Sequence, residues 1–249
     1  MFNSYNNYPC SNFINAPWYN SNHNKNYRAE VTMRETTRNY QYNDIDMLSL
    51  TIKYPMIHIH NNNYAELKIN NQIYMQIDEY YNYVLNTLYL QAIDAYKSSQ
   101  ENDYPFHPFE AVMNYTITYN DNCFLSLYRD KYEFTGGAHG NTIRESNTWE
   151  LCTGESIYLY YLFEPYIDYT VMLQNYIINQ AAENLTKTPD IYFEDYESLI
   201  VNTFNPKSFY LTPDGITIYY QQYDIAPYST GIVEFTIPYS SIGWYPSCN

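Results

Sequence analysis

Hydrophobic and polar positions along this chain follow two periods. Val31 and Met33 are separated by polar residues, and Leu48, Leu50, Ile52 and Tyr54 repeat that alternation, which predicts two strands with one buried face each. Pro55 cannot donate to a sheet ladder and points to an edge position or a bulge. After Asn61-Asn62-Asn63 the spacing changes to three or four. Ile69, Ile73, Ile77, Tyr81, Val84, Leu88 and Ala92 fall on one face of a helix from roughly Tyr64 to Ser99, whose apolar stripe should lie across a sheet. Pro105 to Pro108 breaks this pattern. Val112 to Tyr119 and Phe124 to Tyr132 then read as a hairpin around Asn120-Asp121-Asn122, and a further strand runs from Thr142 to Leu151.

The second half repeats the order with different lengths. Thr153-Gly154-Glu155 is a turn, and Ile157 to Phe163 leads into a helix from about Pro165, where proline is tolerated in the first turn. Ile167, Val171, Ile178, Ala182 and Leu185 give this helix one face, and Phe193 to Val201 suggests a shorter one. Three strands follow, Ser208 to Leu211, Ile216 to Tyr223 and Gly231 to Pro238, with Thr212-Pro213-Asp214-Gly215 as a turn. The expected fold is α+β, in two closely packed halves at 29–150 and 151–249, each a mainly antiparallel sheet with a helix laid across it. Residues 1–28, rich in Asn, Tyr, Ser and Pro without hydrophobic period, read as a tail.

Composition narrows the function. With 249 residues and 45% hydrophobic content the chain can bury a full core. Its formal charge is -15, and after Arg144 the only cations are Lys187 and Lys207 among many carboxylates. Such a surface repels nucleic acid and anionic lipid; it either attracts a basic protein or merely maintains solubility. The 34 tyrosines exceed what a core needs, and tyrosine suits interfaces and lattices. The opening residues lack a basic and apolar secretory pattern, and no stretch is apolar enough to insert in a membrane. Cys10 and Cys248, near the two termini, are candidates for cross-links between copies, or else plain reduced thiols; Cys123 and Cys152, in predicted strands, are expected inside the fold.

Three of the chain's 7 glycines, Gly136, Gly137 and Gly140, crowd into Phe134-Thr-Gly-Gly-Ala-His-Gly-Asn141. His139 in this loop has no serine or cysteine nucleophile in a recognisable context, so a hydrogen bond that closes the loop is expected of it rather than catalysis. His58 and His60 share a strand face without an evident third ligand, and Glu194, Asp195 and Glu197 lack the register of a calcium loop. No metal or cofactor is expected. Gly136, Gly137 and His139, together with Gln221, Tyr223, Pro227 and Tyr228, are the candidate partner-binding residues, forming adjacent rims of one surface. The other reading of Gln221 to Tyr228 is a set of core and turn residues that secures the fold.

The glycine loop, the passage Thr153 to Phe163, and the run Phe209-Tyr-Leu-Thr-Pro-Asp-Gly215 through Gln221-Gln-Tyr223 and Ile225-Ala-Pro-Tyr228 to Ile237-Pro-Tyr-Ser240 resemble one known family. It is domain-of-unknown-function family 3298, the C-terminal domain of the RsiV-type lysozyme-sensing anti-sigma factors. The preceding layout is similar to its usual N-terminal partner, family 4163, also found ahead of peptidoglycan deacetylases. The resemblance implies an α+β unit that, in the sensing members, binds lysozyme through its loops. No membrane segment, sigma-binding region or deacetylase domain is expected beside it. The expectation is a non-catalytic bacterial structural protein at the spore surface, a self-associating component of spore coat or exosporium. The alternative is a recognition module for lysozyme or another basic wall-lytic protein.

Overall fold

The structure, a computed structural model, describes residues 27–248. Cys10 and the predicted tail up to residue 26 lie outside the described residues. Five strands form the first sheet in the order β1 (Glu30–Tyr42), β2 (Ile45–His58), β3 (Phe109–Asp121), β4 (Phe124–Phe134), β5 (Asn141–Glu150). All neighbours are antiparallel except β2 and β3, which the long helix connects as a parallel crossover. Where the sequence pattern placed a tail ending at 28, the chain is already held. Arg28 forks onto Asp121 at 3.1 and 3.0 Å, and the Asn120 side chain clamps the Ala29 backbone at 2.9 and 2.8 Å.

The helix runs as α1 (Asn63–Tyr83), a π-helical turn (Val84–Leu88) and α2 (Tyr89–Glu101). Asn62 caps it, accepting from the Ala65 amide at 3.2 Å and donating to the Leu151 and Cys152 carbonyls. Ile69, Ile73, Val84, Leu88 and Ala92 are buried as expected, but Tyr80 rather than Tyr81 continues the stripe. From Tyr80 to Ala92 buried residues recur every four positions, longer than the 3.6 of an α-helix. The wide turn at Val84–Leu88 absorbs the excess and keeps the stripe on the sheet.

Both tight hairpins use two left-handed residues, Asn43 (φ 51°) and Asp44 (φ 63°), then Asn122 (φ 46°) and Cys123 (φ 68°). The second turn therefore sits later than the predicted Asn120–Asn122, and β3 continues to Asp121. Pro55 lies within β2, beyond Lys53 where pairing with β3 ends, so only β1 flanks it. The missing amide leaves the β2–β3 ladder intact.

The second half holds a 3-10 turn (Leu159–Leu162), α3 (Tyr169–Lys187), α4 (Tyr196–Thr203) and an antiparallel sheet of β6 (Phe209–Leu211), β7 (Gly215–Tyr220) and β8 (Val233–Pro238), followed by α5 (Tyr239–Ile242). α3 begins at Tyr169, capped by Asp168 through the Val171 amide at 3.3 Å, and not at Pro165. Its buried face is Leu173, Ile177 and Ala181, while Val171 and Ala182 of the predicted face are exposed. Two apolar stripes compete on this helix, and the one facing the sheet wins.

The halves interlock. Tyr119 and Phe124, from the β3–β4 hairpin, belong to the second core. Ser126 bridges the sheets, meeting Thr148 Oγ1 at 2.7 Å and accepting from the Leu211 amide at 2.9 Å. A disulfide joins Cys123 to Cys248, 125 residues apart, with Phe124 edge-on to Trp244 beside it. This corrects the expectation that Cys248 is offered to another copy: its sulfur is spent within the chain. Cys152 is likewise disulfide-bonded, and no free thiol stands among the described residues. No helix among the described residues is long and apolar enough to cross a membrane.

Candidate functional site

The glycine loop links β4 to β5 and is exposed from Thr135 to His139. Gly136 adopts φ 84°, a left-handed backbone that favours glycine, and a side chain at buried Gly140 would land on the Tyr132 ring. His139 Nδ1 sits 2.9 Å from the Gly140 carbonyl, the expected bond that closes the loop.

β5 is the edge of its sheet, and its outward amides need partners. Two glutamines supply them. Gln222 Oε1 accepts from the Thr142 amide at 2.8 Å and Gln221 Oε1 from the Arg144 amide at 2.9 Å, while Gln221 Nε2 donates to the Arg144 carbonyl at 2.7 Å. The side chains stand in for a sixth strand. The Gln221 amide in turn donates to Asp224 at 2.7 Å, bending the chain through Tyr223 (φ 69°) towards buried Ile225 and Ala226. Burial raises the Asp224 carboxyl above the usual range, against the pull of that amide. Pro227 then opens the 3-10 turn Tyr228–Thr230.

This path carries Tyr228 onto the glycine loop. Its ring stacks on His139 with centroids 3.8 Å apart and planes 22° apart, and Tyr223 stands 5.8 Å beyond it, 52% exposed. Of the candidate partner-binding residues, the structure therefore gathers His139, Tyr228 and Tyr223 into one aromatic rim. Gly136, Gly137 and Pro227 shape its backbone, whereas Gln221 is committed to β5 and belongs to the securing set.

Beneath the rim lies a group that the sequence reading did not select. Arg144, 8% exposed, forks onto Asp130 at 2.7 and 2.8 Å, meets Glu234 of β8, and covers the Tyr128 ring at 3.6 Å. Burial opposes its charge, but the hydrogen bonds and charge of Asp130 hold its proton more firmly than usual. Arg144 thus ties β4, β5 and β8 under the loop. Its isolation as the last arginine before a carboxylate-rich half was the available signal.

The other candidates lie apart. His58 Nδ1 meets Glu66 at 2.8 Å, and His60 is exposed in the turn after β2. Among the described residues no group of three or more His, Cys, Asp or Glu is placed to hold a metal ion. Asp195 occupies the N-cap position of α4 with Glu197 in its first turn.

Two family models match the chain. Residues 41–142 match the family described as Deacetylase PdaC, and residues 161–240 match the one described as Protein of unknown function (DUF3298). The first half is therefore similar to a PdaC-type segment and the second to a DUF3298 segment. A solved DUF3298 protein from Bacteroides fragilis NCTC 9343 is similar at a TM-score of 0.64 and 20% identity, over 88% of this chain and 94% of that one. Another, from Pseudomonas aeruginosa PAO1, is similar at 0.57 and 18%, over 88% and 95%. At these identities the likeness is one of fold, and it shows the α+β architecture. No curated protein matches. Arg144 falls between the two matched segments, while the rim draws His139 from one and Tyr228 from the other.

Proposed function

We propose that this protein is a non-catalytic recognition module whose contact surface is the His139–Tyr228–Tyr223 rim. The observation that carries this is the stack of half-buried Tyr228 on exposed His139, which fuses two glycine- and proline-shaped loops into one aromatic surface continued by exposed Tyr223. Exposed, held tyrosines serve as contact anchors because they offer large area with little side-chain entropy to lose. The net charge of -15 favours a basic partner, of which lysozyme or another wall-lytic protein is the natural class. Disulfides persist in oxidising surroundings, which supports a place on the cell or spore surface.

Titration with lysozyme tests this reading. Attraction between exposed charges fades as the Debye length falls to about 3 Å at 1 M salt, whereas a seated ring persists. Tyr228→Ala is expected to weaken binding by about 2 kcal/mol, roughly 30-fold, with the larger share of the loss remaining at high salt. Binding that vanishes with salt and is indifferent to Tyr228→Ala would sink the proposal.

The name of the PdaC family raises deacetylation as a rival. His139 directs one ring nitrogen at its own loop carbonyl and one ring face at Tyr228, and no nucleophile among the described residues is paired with it. The purified protein is expected neither to deacetylate nor to hydrolyse peptidoglycan, with or without added zinc. Activity that His139→Ala abolishes would overturn this.

A second reading, self-association in a spore coat or exosporium, draws on the exposed tyrosines in and around the 3-10 turn Leu159–Leu162. Tyr158 and Tyr160 stack at 5.8 Å, and Tyr166 is 85% exposed. Enrichment of the chain in purified spores rather than in medium or membrane would place this reading ahead.

A further inference from the structure

We infer that Cys123, Cys152 and Cys248 form a thiol-exchange site at which Cys248 is released as a thiolate that can take up half of an external disulfide as a mixed disulfide. Cys123 is bonded to Cys248, and Cys152 Sγ lies 3.8 Å from Cys123 Sγ. The β4–β5 ladder enforces this proximity, since the Leu151 amide donates to the Cys123 carbonyl at 2.8 Å. Cys123 sits in the left-handed hairpin turn and is 3% exposed, while Cys248 is exposed at the end of the described chain. The two sulfurs of one bond therefore differ in access, and the buried one faces a third sulfur. A disulfide places its sulfurs about 2.05 Å apart, so Cys152 needs to advance by about 1.8 Å to bond Cys123.

Cys152 is itself disulfide-bonded, so exchange begins with an external thiolate. That thiolate attacks the sulfur bonded to Cys152, forms a mixed disulfide there, and expels Cys152 as a thiolate. Cys152 Sγ then attacks Cys123 Sγ; the Cys123–Cys152 bond forms, the Cys123–Cys248 bond breaks, and the electron pair leaves on Cys248. The second step breaks one disulfide as it forms another, so it is redox-neutral and needs no oxidant. The Cys248 thiolate takes up a proton or attacks an external disulfide, becoming its mixed disulfide as that disulfide's other half departs as thiolate. Release also frees the segment that carries Trp244 and Tyr245 from its tether beside Phe124.

The full-length oxidised protein, exposed to substoichiometric dithiothreitol and quenched with iodoacetamide, gives the test by peptide mapping. Cys248 is expected to be alkylated at least tenfold more than Cys123, with a Cys123–Cys152 linked peptide present. In a Cys248→Ser variant the freed Cys123 thiolate is expected to attack Cys152, so the same linked peptide forms without added thiol. Equal alkylation of Cys123 and Cys248 with no linked peptide in either protein would overturn the inference, because the bond would then be opening directly.

Discussion

Replacing Arg144 with methionine is expected to cost about 3 kcal/mol, because removing one partner of a buried ion pair leaves the others uncompensated. For a chain of this size that is a fall in unfolding midpoint of the order of 10 °C. Asp130 and Glu234 keep 26% and 43% side-chain exposure, so water recovers part of the loss and the figure stays at the low end of its range. Arg144→Lys is expected to fall between, since an ammonium cannot fork onto Asp130 and stack on Tyr128 together. Adding Asp130→Asn to Arg144→Met should recover stability, because one orphaned charge is gone. Thermal unfolding followed by circular dichroism checks all three. A midpoint for Arg144→Met within about 2 °C of the parent would remove Arg144 from its role as the tie between the sheets.

Arg144 also marks where the sequence stopped being informative. Strand and helix existence was legible because each depends on neighbours a few positions away: Leu48, Leu50 and Ile52 alternate, and Ile69 and Ile73 recur, whatever they pack against. Phase was less legible. On α3 the stripe through Val171 and the stripe through Leu173 both satisfy helical spacing, and only the sheet beneath decides. The tight turn at Asn122–Cys123 was misplaced because three polar residues in a row all suit a turn.

For the site, the residues were legible but their division of labour was not. Gln221 and Tyr223 lie two apart and look alike as candidates, yet Gln221 reaches an amide 77 residues away while Tyr223 points its ring to solvent. Nothing local distinguishes them, because the unpaired amides of β5 that claim Gln221 belong to another strand. The same holds for cysteine. Position near a terminus made Cys248 look available, whereas the hairpin that presents Cys123 to it is 125 residues earlier.

Gly215→Ala is expected to destabilise the protein by about 3 kcal/mol or more, a larger cost than its position in a Thr-Pro-Asp-Gly turn suggests. A turn glycine is ordinarily required for a left-handed backbone, yet Gly215 is absent from the positive-φ glycines, and it already pairs with Pro238 as the first residue of β7. Space is the constraint: a Cβ there would fall on the Ile237 carbonyl oxygen and close to Pro238 Cα, and both are backbone of the partner strand. Backbone cannot rotate aside as a side chain does, so β8 must move off β7, opening the sheet under Ile216, Ile218 and Phe235. Gly231 provides the contrast. Its φ of 77° and ψ of -152° lie in a region nearly confined to glycine, with nothing within 4 Å of an added Cβ, so Gly231→Ala carries a backbone penalty alone, of about 1–3 kcal/mol. Urea unfolding of the two variants separates backbone strain from collision, and the expected order is a lower midpoint for Gly215→Ala than for Gly231→Ala. Equal midpoints, or a larger loss at Gly231, would show that β7 and β8 can part without cost and that the glycine serves the turn alone.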